Sequence, residues 1–248
     1  MIRIRGLRKR LGGKQVLDGV DLDIPAGCTI VVMGRSGTGK SVLLKHIIGL
    51  MHPDEGSIEV DGETITELAE PELNEVRKRF GMLFQGGALF DSMTVGENVG
   101  LPLREHTSLE EREIRRRVAE RLSWVGLEGV EKMKPASLSG GMRKRVGLAR
   151  AIAMDPAYIL YDEPTTGLDP IMADVIDRLI RSLQARIGVT SIVVTHDLHS
   201  ASHVGDVVAM LHDGRIVFTG SPDEAKHTSD ALVRQFMNGS SEGPIRAV

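Results

Sequence analysis

Residues 28–33 form an almost unbroken apolar run that ends at Gly34. There it passes into Gly34-Arg35-Ser36-Gly37-Thr38-Gly39-Lys40-Ser41 and, from Val42, a helical pattern. This succession constrains the fold more than any other feature of the chain. A strand apolar on every residue is buried on both faces, as in a parallel sheet covered by helices. Glycines at the turn let backbone amides face inward and approach an anion, and the helix that follows offers free amides and a positive dipole end to the same anion. Lys40 supplies a point charge that reaches terminal phosphates, and the Ser41 hydroxyl is a ligand for magnesium. Residues Gly34, Arg35, Ser36, Gly37, Thr38, Gly39, Lys40, Ser41 and Val42 are therefore candidate phosphate-binding residues. The bland alternative is a glycine-rich turn with no ligand.

The rest of the chain extends this pattern. Residues 158–161, 190–194 and 207–211 repeat the buried-strand signature, and helical stretches follow the first two. Such alternation predicts an α/β fold with a mostly parallel sheet. Residues 2–7, 16–24 and 57–60 read instead as strands joined by glycine-rich turns, an antiparallel portion at the N-terminus. Residues 96–136 carry no strand signal. Ser108 and Glu111 stand as a capping box ahead of a helix running to about Val125, with Ile114, Val118, Leu122 and Val125 on one face. Glutamates interleave its arginines, which reads as a solvated face rather than a nucleic-acid surface. The expected organisation is an α/β core over 1–95 and 157–238, a helical subdomain over 96–156, and a flexible tail over 239–248.

Composition removes several function classes. The 248 residues hold 31 basic and 34 acidic side chains, a net charge of −3, where a duplex-binding protein would show a basic excess. Five Phe, two Tyr and one Trp leave little for base-stacking platforms. A lone cysteine, Cys28, suits a reducing compartment. No signal-peptide stretch opens the chain and no run reaches the roughly 18 residues of a membrane span. A soluble, cytosolic protein is expected.

A phosphate loop alone specifies only a P-loop NTPase. Further residues narrow the class. The strand 158–161 runs into Asp162-Glu163, a place where P-loop enzymes hold magnesium through the aspartate. The adjacent glutamate is then set to activate water. By itself such a pair also suits a helix cap or a solvated loop. Leu138-Ser139-Gly140-Gly141-Met142 opens a helical run, with Ser139 a candidate N-cap and two glycines again freeing amides. With these residues the sequence resembles the ATP-binding-cassette (ABC) ATPases. Residues 138–142 look like the family signature motif, and 162–170 look like its Walker B and D-loop run. Gln85 stands at its Q-loop position, and His196 at that of its switch histidine. In isolation, Gln85 would be an ordinary loop glutamine and His196 a capped or buried polar residue.

The resemblance implies a P-loop, RecA-like core and a mechanism. Two copies would sandwich two ATP molecules head to tail with Mg2+. Lys40, Ser41, Gln85, Asp162, Glu163 and His196 would come from one chain, and Ser139, Gly140 and Gly141 from the other. Glu163 would be the general base and His196 the sensor of the γ-phosphate, with Ser41, Gln85 and Asp162 around the metal. One position departs from the family. Leu11 stands where an aromatic residue usually stacks on adenine. Within the family, residues 84–95 and 101–107, together with Met142 and the segment 233–236, resemble the Mla/Mce lipid-transport ATPases of bacterial envelopes. That branch implies an integral-membrane permease, a STAS-type regulatory subunit, a periplasmic Mce lipid-binding protein, and a place on the cytoplasmic face of the inner membrane. It also implies that Glu105 and the apolar residues 88–90 face the permease; for Leu89 and Phe90 the alternative is simple core packing. An ATPase for another solute, a nucleic-acid-dependent ATPase and a non-hydrolysing nucleotide-binding module are the alternatives.

Overall fold

A computed structural model describes residues 1–245. In chain order the elements are β1 (Ile2–Leu11), β2 (Lys14–Ile24), β3 (Thr29–Met33), α1 (Lys40–Ile47), β4 (Glu55–Val60), β5 (Glu63–Thr64), α2 (Glu70–Arg77), β6 (Phe80–Leu83), α3 (Val95–His106), α4 (Glu111–Trp124), α5 (Gly140–Ala151), β7 (Tyr158–Asp162), α6 (Pro170–Ile187), β8 (Thr190–Thr195), α7 (Leu198–Val204), β9 (Val207–His212), β10 (Arg215–Gly220), α8 (Pro222–His227) and α9 (Ala231–Met237). They fall into two compact units, residues 1–73 with 190–248 and residues 74–189. The helical stretch 96–156 lies wholly inside the second.

The first unit holds two sheets. β2, β1, β4 and β5 pair antiparallel in that order. Alternation sets the register: Ile2 and Ile4 face inward opposite Ile24 and Leu22, while Arg3 and Arg5 point out and bond Glu59 and Asp23. A one-residue slip would turn every isoleucine to water. In the other sheet β3 lies between β8 and β9, parallel to both, and β10 returns antiparallel on β9. Every residue of β3 and β8 is buried, so the apolar run 28–33 is a central strand, as its composition dictates.

The second unit pairs β6 with β7 in parallel, with the Phe80 and Tyr158 rings stacked 4.9 Å apart. Val99 and Leu103 of α3, Ile114, Val118 and Leu122 of α4, and Val146 of α5 are all buried. Each buried aliphatic side chain of this size contributes roughly 1.5–3 kcal/mol.

One local expectation fails. Ser108 and Glu111 do not form a capping box; α4 starts two residues later, with Glu110 at its N-cap and no side-chain cap bond. Arg104 takes both Glu111 oxygens, at 2.8 and 3.1 Å, and the Thr107 hydroxyl turns to the Leu103 carbonyl and Leu109 amide. A bidentate charged pair outcompetes a reach back to one amide. Capping boxes form instead at Thr94–Glu97 and Ser221–Glu224.

Part of the expected tail makes specific contacts. The Gln235 side chain donates to the carbonyls of Ser240 and Ile245 and accepts from the Ile245 amide, and Ile245 packs with Met210 and Val233. Residues 246–248 of the expected tail lie outside the described residues.

Candidate active site

In the first unit the chain leaves β3 at Met33, turns through residues 34–39 and enters α1 at Lys40. Gly39 caps the helix at φ 101°, a left-handed conformation that favours glycine. A Cβ at Gly39 would stand 3.0 Å from the Val16 carbonyl, and one at Gly34 would collide with the Leu211 carbonyl. These two glycines let the loop run flush against β2 and the end of β9. The Thr38 hydroxyl and amide both donate to the Arg35 carbonyl, at 2.9 and 3.3 Å, and close the turn. Lys40 is buried, its Nζ donating to the Gly34 carbonyl at 2.7 Å and the Arg35 carbonyl at 3.1 Å. Its ammonium therefore lies within the loop, where a phosphate oxygen makes a stronger, charge-assisted bond than a neutral carbonyl. Ser41 and Val42 follow, half-buried, on the first turn of α1.

A cavity of about 550 Å³ opens over this loop, lined by residues 35–38, by Lys14, Gln15 and Val16, and by residues 212–214. Its size is in the range of small-molecule sites. Leu11, expected under the base, is 39% exposed at the end of β1 and does not line it. Lys14–Val16 take that side instead, and no sequence signal singled them out. The β9–β10 turn reaches the cavity because Asp18 ties it to β2. The Asp18 amide donates to the Gly214 carbonyl at 2.8 Å, and Arg215 donates twice to the Asp18 carboxylate. The Arg215 bonds hold that carboxyl below its ordinary pKa.

His196 follows β8 directly and is exposed. The turn that presents it is set by Asp197, which accepts from the His199 and Ser200 amides at the start of α7. His196 shares a second cavity, of about 300 Å³, with Arg35, Phe236 and Ile245. The first unit thus brings Arg35 to both cavities.

The second unit carries the remaining residues. Gln85 is exposed two residues beyond β6. The loop after it is pinned to α5, where Arg150 donates to the carbonyls of Gly87 at 3.0 Å and Ala88 at 2.8 Å. β7 ends at the half-buried Asp162, and the next residue, Glu163, is buried with φ 50°. A left-handed glutamate stores about 1–3 kcal/mol and persists only where its surroundings hold it. Here Lys144 of α5 holds it: Nζ donates to the carbonyls of Glu163 at 3.1 Å, Pro164 at 2.6 Å and Thr166 at 2.8 Å. The Thr166 hydroxyl donates to Glu163 Oε2 at 3.0 Å. Burial pushes the Lys144 ammonium down to about 8, against the pull of the Glu163 charge. The only sequence signal for Lys144 is a basic run, residues 143–145, close to the positive end of a helix, where cations are disfavoured.

Ser139 caps α5, accepting from the Met142 amide at 3.2 Å, and leaves Gly140 exposed at the helix start. Replacing Ser139 by Ala is expected to cost about 1 kcal/mol, read as a fall in Tm of roughly 2–4 °C. For a metal the proposed set is hydroxyl, amide and carboxylate oxygen, the donor chemistry of magnesium. Among the described residues no three His, Cys, Asp or Glu are grouped to hold an ion. So few protein oxygens suit magnesium, which keeps waters and takes phosphate oxygens as further ligands.

The family profile described as ABC transporter matches residues 17–166, from within β2 through the phosphate-type loop and α5 to Thr166. The chain belongs to the ABC transporter family. Among relatives of the cassette, the probable ribonucleotide transport ATP-binding protein mkl of Mycobacterium leprae is 50% identical over 245 residues, covering 98% of this chain and 70% of that protein. The intermembrane phospholipid transport system ATP-binding protein MlaF of Haemophilus influenzae is 43% identical over 246 residues, covering 99% of this chain and 93% of that protein. Among solved structures, the dimeric post-hydrolysis ATP-binding cassette MJ0796, bound to ADP and Pi, superposes with a TM-score of 0.83 at 34% identity, covering 90% of this chain and 99% of that one. The cassette is a nucleotide-binding ATPase.

Proposed function

We propose that this cassette is the ATP-hydrolysing subunit of a transporter that moves phospholipid between the membranes of a bacterial envelope. The observation that carries this reading is the near end-to-end match to MlaF, 99% of this chain on 93% of that protein. The higher identity to mkl favours a second reading, a ribonucleotide transporter; that match spans 70% of its relative. Residues 1–238 act as one ABC ATPase domain in either case, with 96–156 as its helical subdomain.

Two copies close head to tail on two ATP molecules. Lys40 and the amides of residues 34–41 hold the phosphates, and Glu163 takes the proton of the attacking water. His196 bonds the γ-phosphate, while Ser139 and the glycines at the start of α5 complete the site from the other copy. Ser41, Gln85 and Asp162 would hold Mg2+, which neutralises developing phosphate charge when bound. Phosphoryl transfer demands positioning and charge stabilisation more than covalent chemistry, so a site assembled only on closure couples turnover to movement of a partner. Among the described residues no helix is long and apolar enough to cross a membrane. A permease therefore holds the cassette at the cytoplasmic face of the inner membrane, in a complex that includes STAS-type and periplasmic Mce subunits.

The permease-facing surface is on the second unit. Phe90 is half exposed at 50%, Ala88 and Glu105 are exposed, and a cavity of about 470 Å³ is lined by Met93, Glu97, Leu101, Arg104 and Glu111. Cysteines at 88, 90 and 105 are expected to crosslink to a co-purified permease; no crosslink from any of them sinks this surface. Burial raises the pKa of the native Cys28 thiol, which keeps background labelling low. The transport reading itself is tested in proteoliposomes carrying the whole complex. ATP-dependent transfer of a fluorescent phospholipid to acceptor vesicles is expected, and ATP-dependent ribonucleotide uptake without lipid transfer would replace it with the second reading.

A further inference from the structure

Lys144 is buried in the second turn of α5, with 5% of its surface exposed. An ammonium has three N–H donors, and all three find carbonyls of one loop, those of residues 163, 164 and 166. The first of these carbonyls belongs to a glutamate in the left-handed region, at φ 50°. The turn that follows is closed by the Thr166 amide on the Glu163 carbonyl and the Leu168 amide on the Thr165 carbonyl, and it ends at Asp169, the N-cap of α6. Three converging carbonyls present negative dipole ends to one point, an arrangement that a cation stabilises and a neutral side chain does not. The same helix begins at Ser139, so one rigid element carries both the signature residues and the cation that sets the backbone of Glu163.

We propose that Lys144 is a positioning residue for hydrolysis: its ammonium gathers the carbonyls of residues 163, 164 and 166 and so aims the Glu163 carboxylate at the attacking water. The inference rests on the reading of Glu163 as general base. Lys144 does not touch the nucleotide; it acts through the backbone of the residue that handles the proton. A misplacement of the order of 1 Å at such a group lowers turnover by up to about 100-fold while leaving the phosphate loop, and hence ATP binding, intact.

The charge on Lys144 also gives the proposal a pH signature. Burial lowers its pKa to about 8, and the charged group that faces it is the Glu163 carboxylate. Above that pH the clamp loses its proton and turnover falls. Stability moves the other way. Between about 8 and the ordinary lysine value near 10.4 the unfolded chain binds the proton more tightly, so this group adds to folding stability as pH rises. A lysine that only supported the fold would not lower kcat across a window in which its own contribution to stability grows.

The test compares steady-state ATP hydrolysis and ATP affinity for wild type, Lys144→Met and Lys144→Arg in the intact dimer or complex. Lys144→Met is expected to lower kcat about 10- to 100-fold with KM and ATP affinity changed less than about threefold. Wild type is expected to show an alkaline limb in kcat near pH 8 that Lys144→Arg, which keeps its charge, lacks at whatever absolute rate it reaches. Should Lys144→Met fail to fold, that profile decides. A folded Lys144→Met with kcat within twofold of wild type overturns the proposal, as does a wild-type profile without the limb or a limb that Lys144→Arg retains. Glu163→Gln, assayed alongside, separates the two assignments. An active Glu163→Gln removes the base reading, whereas an inactive Glu163→Gln beside an unaffected Lys144→Met removes the role of Lys144 alone.

Discussion

Replacing Glu163 by Gln is expected to lower kcat by about 10²–10⁴ while ATP still binds, the range that loss of a positioned general base produces. The substitution keeps size and shape. It keeps an acceptor for the Thr166 hydroxyl, now 3.0 Å from Oε2, and it leaves the three carbonyl bonds to Lys144 untouched because they are made to backbone. The fold and its strained φ therefore survive, and only the capacity to take a proton goes. ATP-bound dimers should accumulate, visible as a shift in elution volume with nucleotide retained. Hydrolysis at the wild-type rate in this variant would show that another group activates the water. Turnover that falls together with Tm would point to folding instead.

Replacing Lys40 by Met is expected to weaken ATP binding before it changes anything else. The side chain is buried inside the loop, bonded to the carbonyls of Gly34 and Arg35, and in the proposed site it faces phosphate. Hydrogen bonds to charged groups contribute about 1.5–3 kcal/mol each. A loss of roughly 10- to 100-fold in affinity for ATP follows, larger for ATP than for AMP because the ammonium serves the terminal phosphates. Equilibrium titration with the two nucleotides checks this. Equal losses for both would mean that Lys40 shapes the loop and not its charge. Lys40→Met leaves the second unit's clamp on Glu163 intact, so its defect should appear in binding, whereas that of Glu163→Gln appears in turnover.

Much of the candidate site was legible in the residues themselves. Residues 34–41 follow a buried strand and precede a helix, as the spacing of glycines and apolar residues requires, and Ser139 caps the helix it was expected to cap. These features are local: a side chain bonds an amide three residues on, or a glycine adopts a φ that others avoid. The failures are also instructive. Ser108 had the residue spacing of a capping box, but Arg104, one helix earlier, captured Glu111. A residue seven positions away in sequence was nearer in space than the local partner. The segment 239–245 had linker composition, yet Gln235 satisfies its backbone and Ile245 finds an apolar pocket.

The sequence alone determined the buried strands of the parallel sheet, the apolar faces, the glycine-rich loop and the candidate charged residues for phosphate and water, because each depends on composition and spacing within a few residues. Tertiary structure decided what those residues meet. It put Lys14–Val16 rather than Leu11 beside the loop, and it brought the β9–β10 turn to the same cavity through an Asp18–Arg215 pair that joins residues 197 positions apart. It also turned an ordinary lysine into the cation inside a carbonyl nest. Nothing in the spacing of Lys144 and Glu163, 19 positions apart, marks that pairing; it exists because α5 packs where the chain leaves β7, and burial makes an unmade hydrogen bond there too costly to leave.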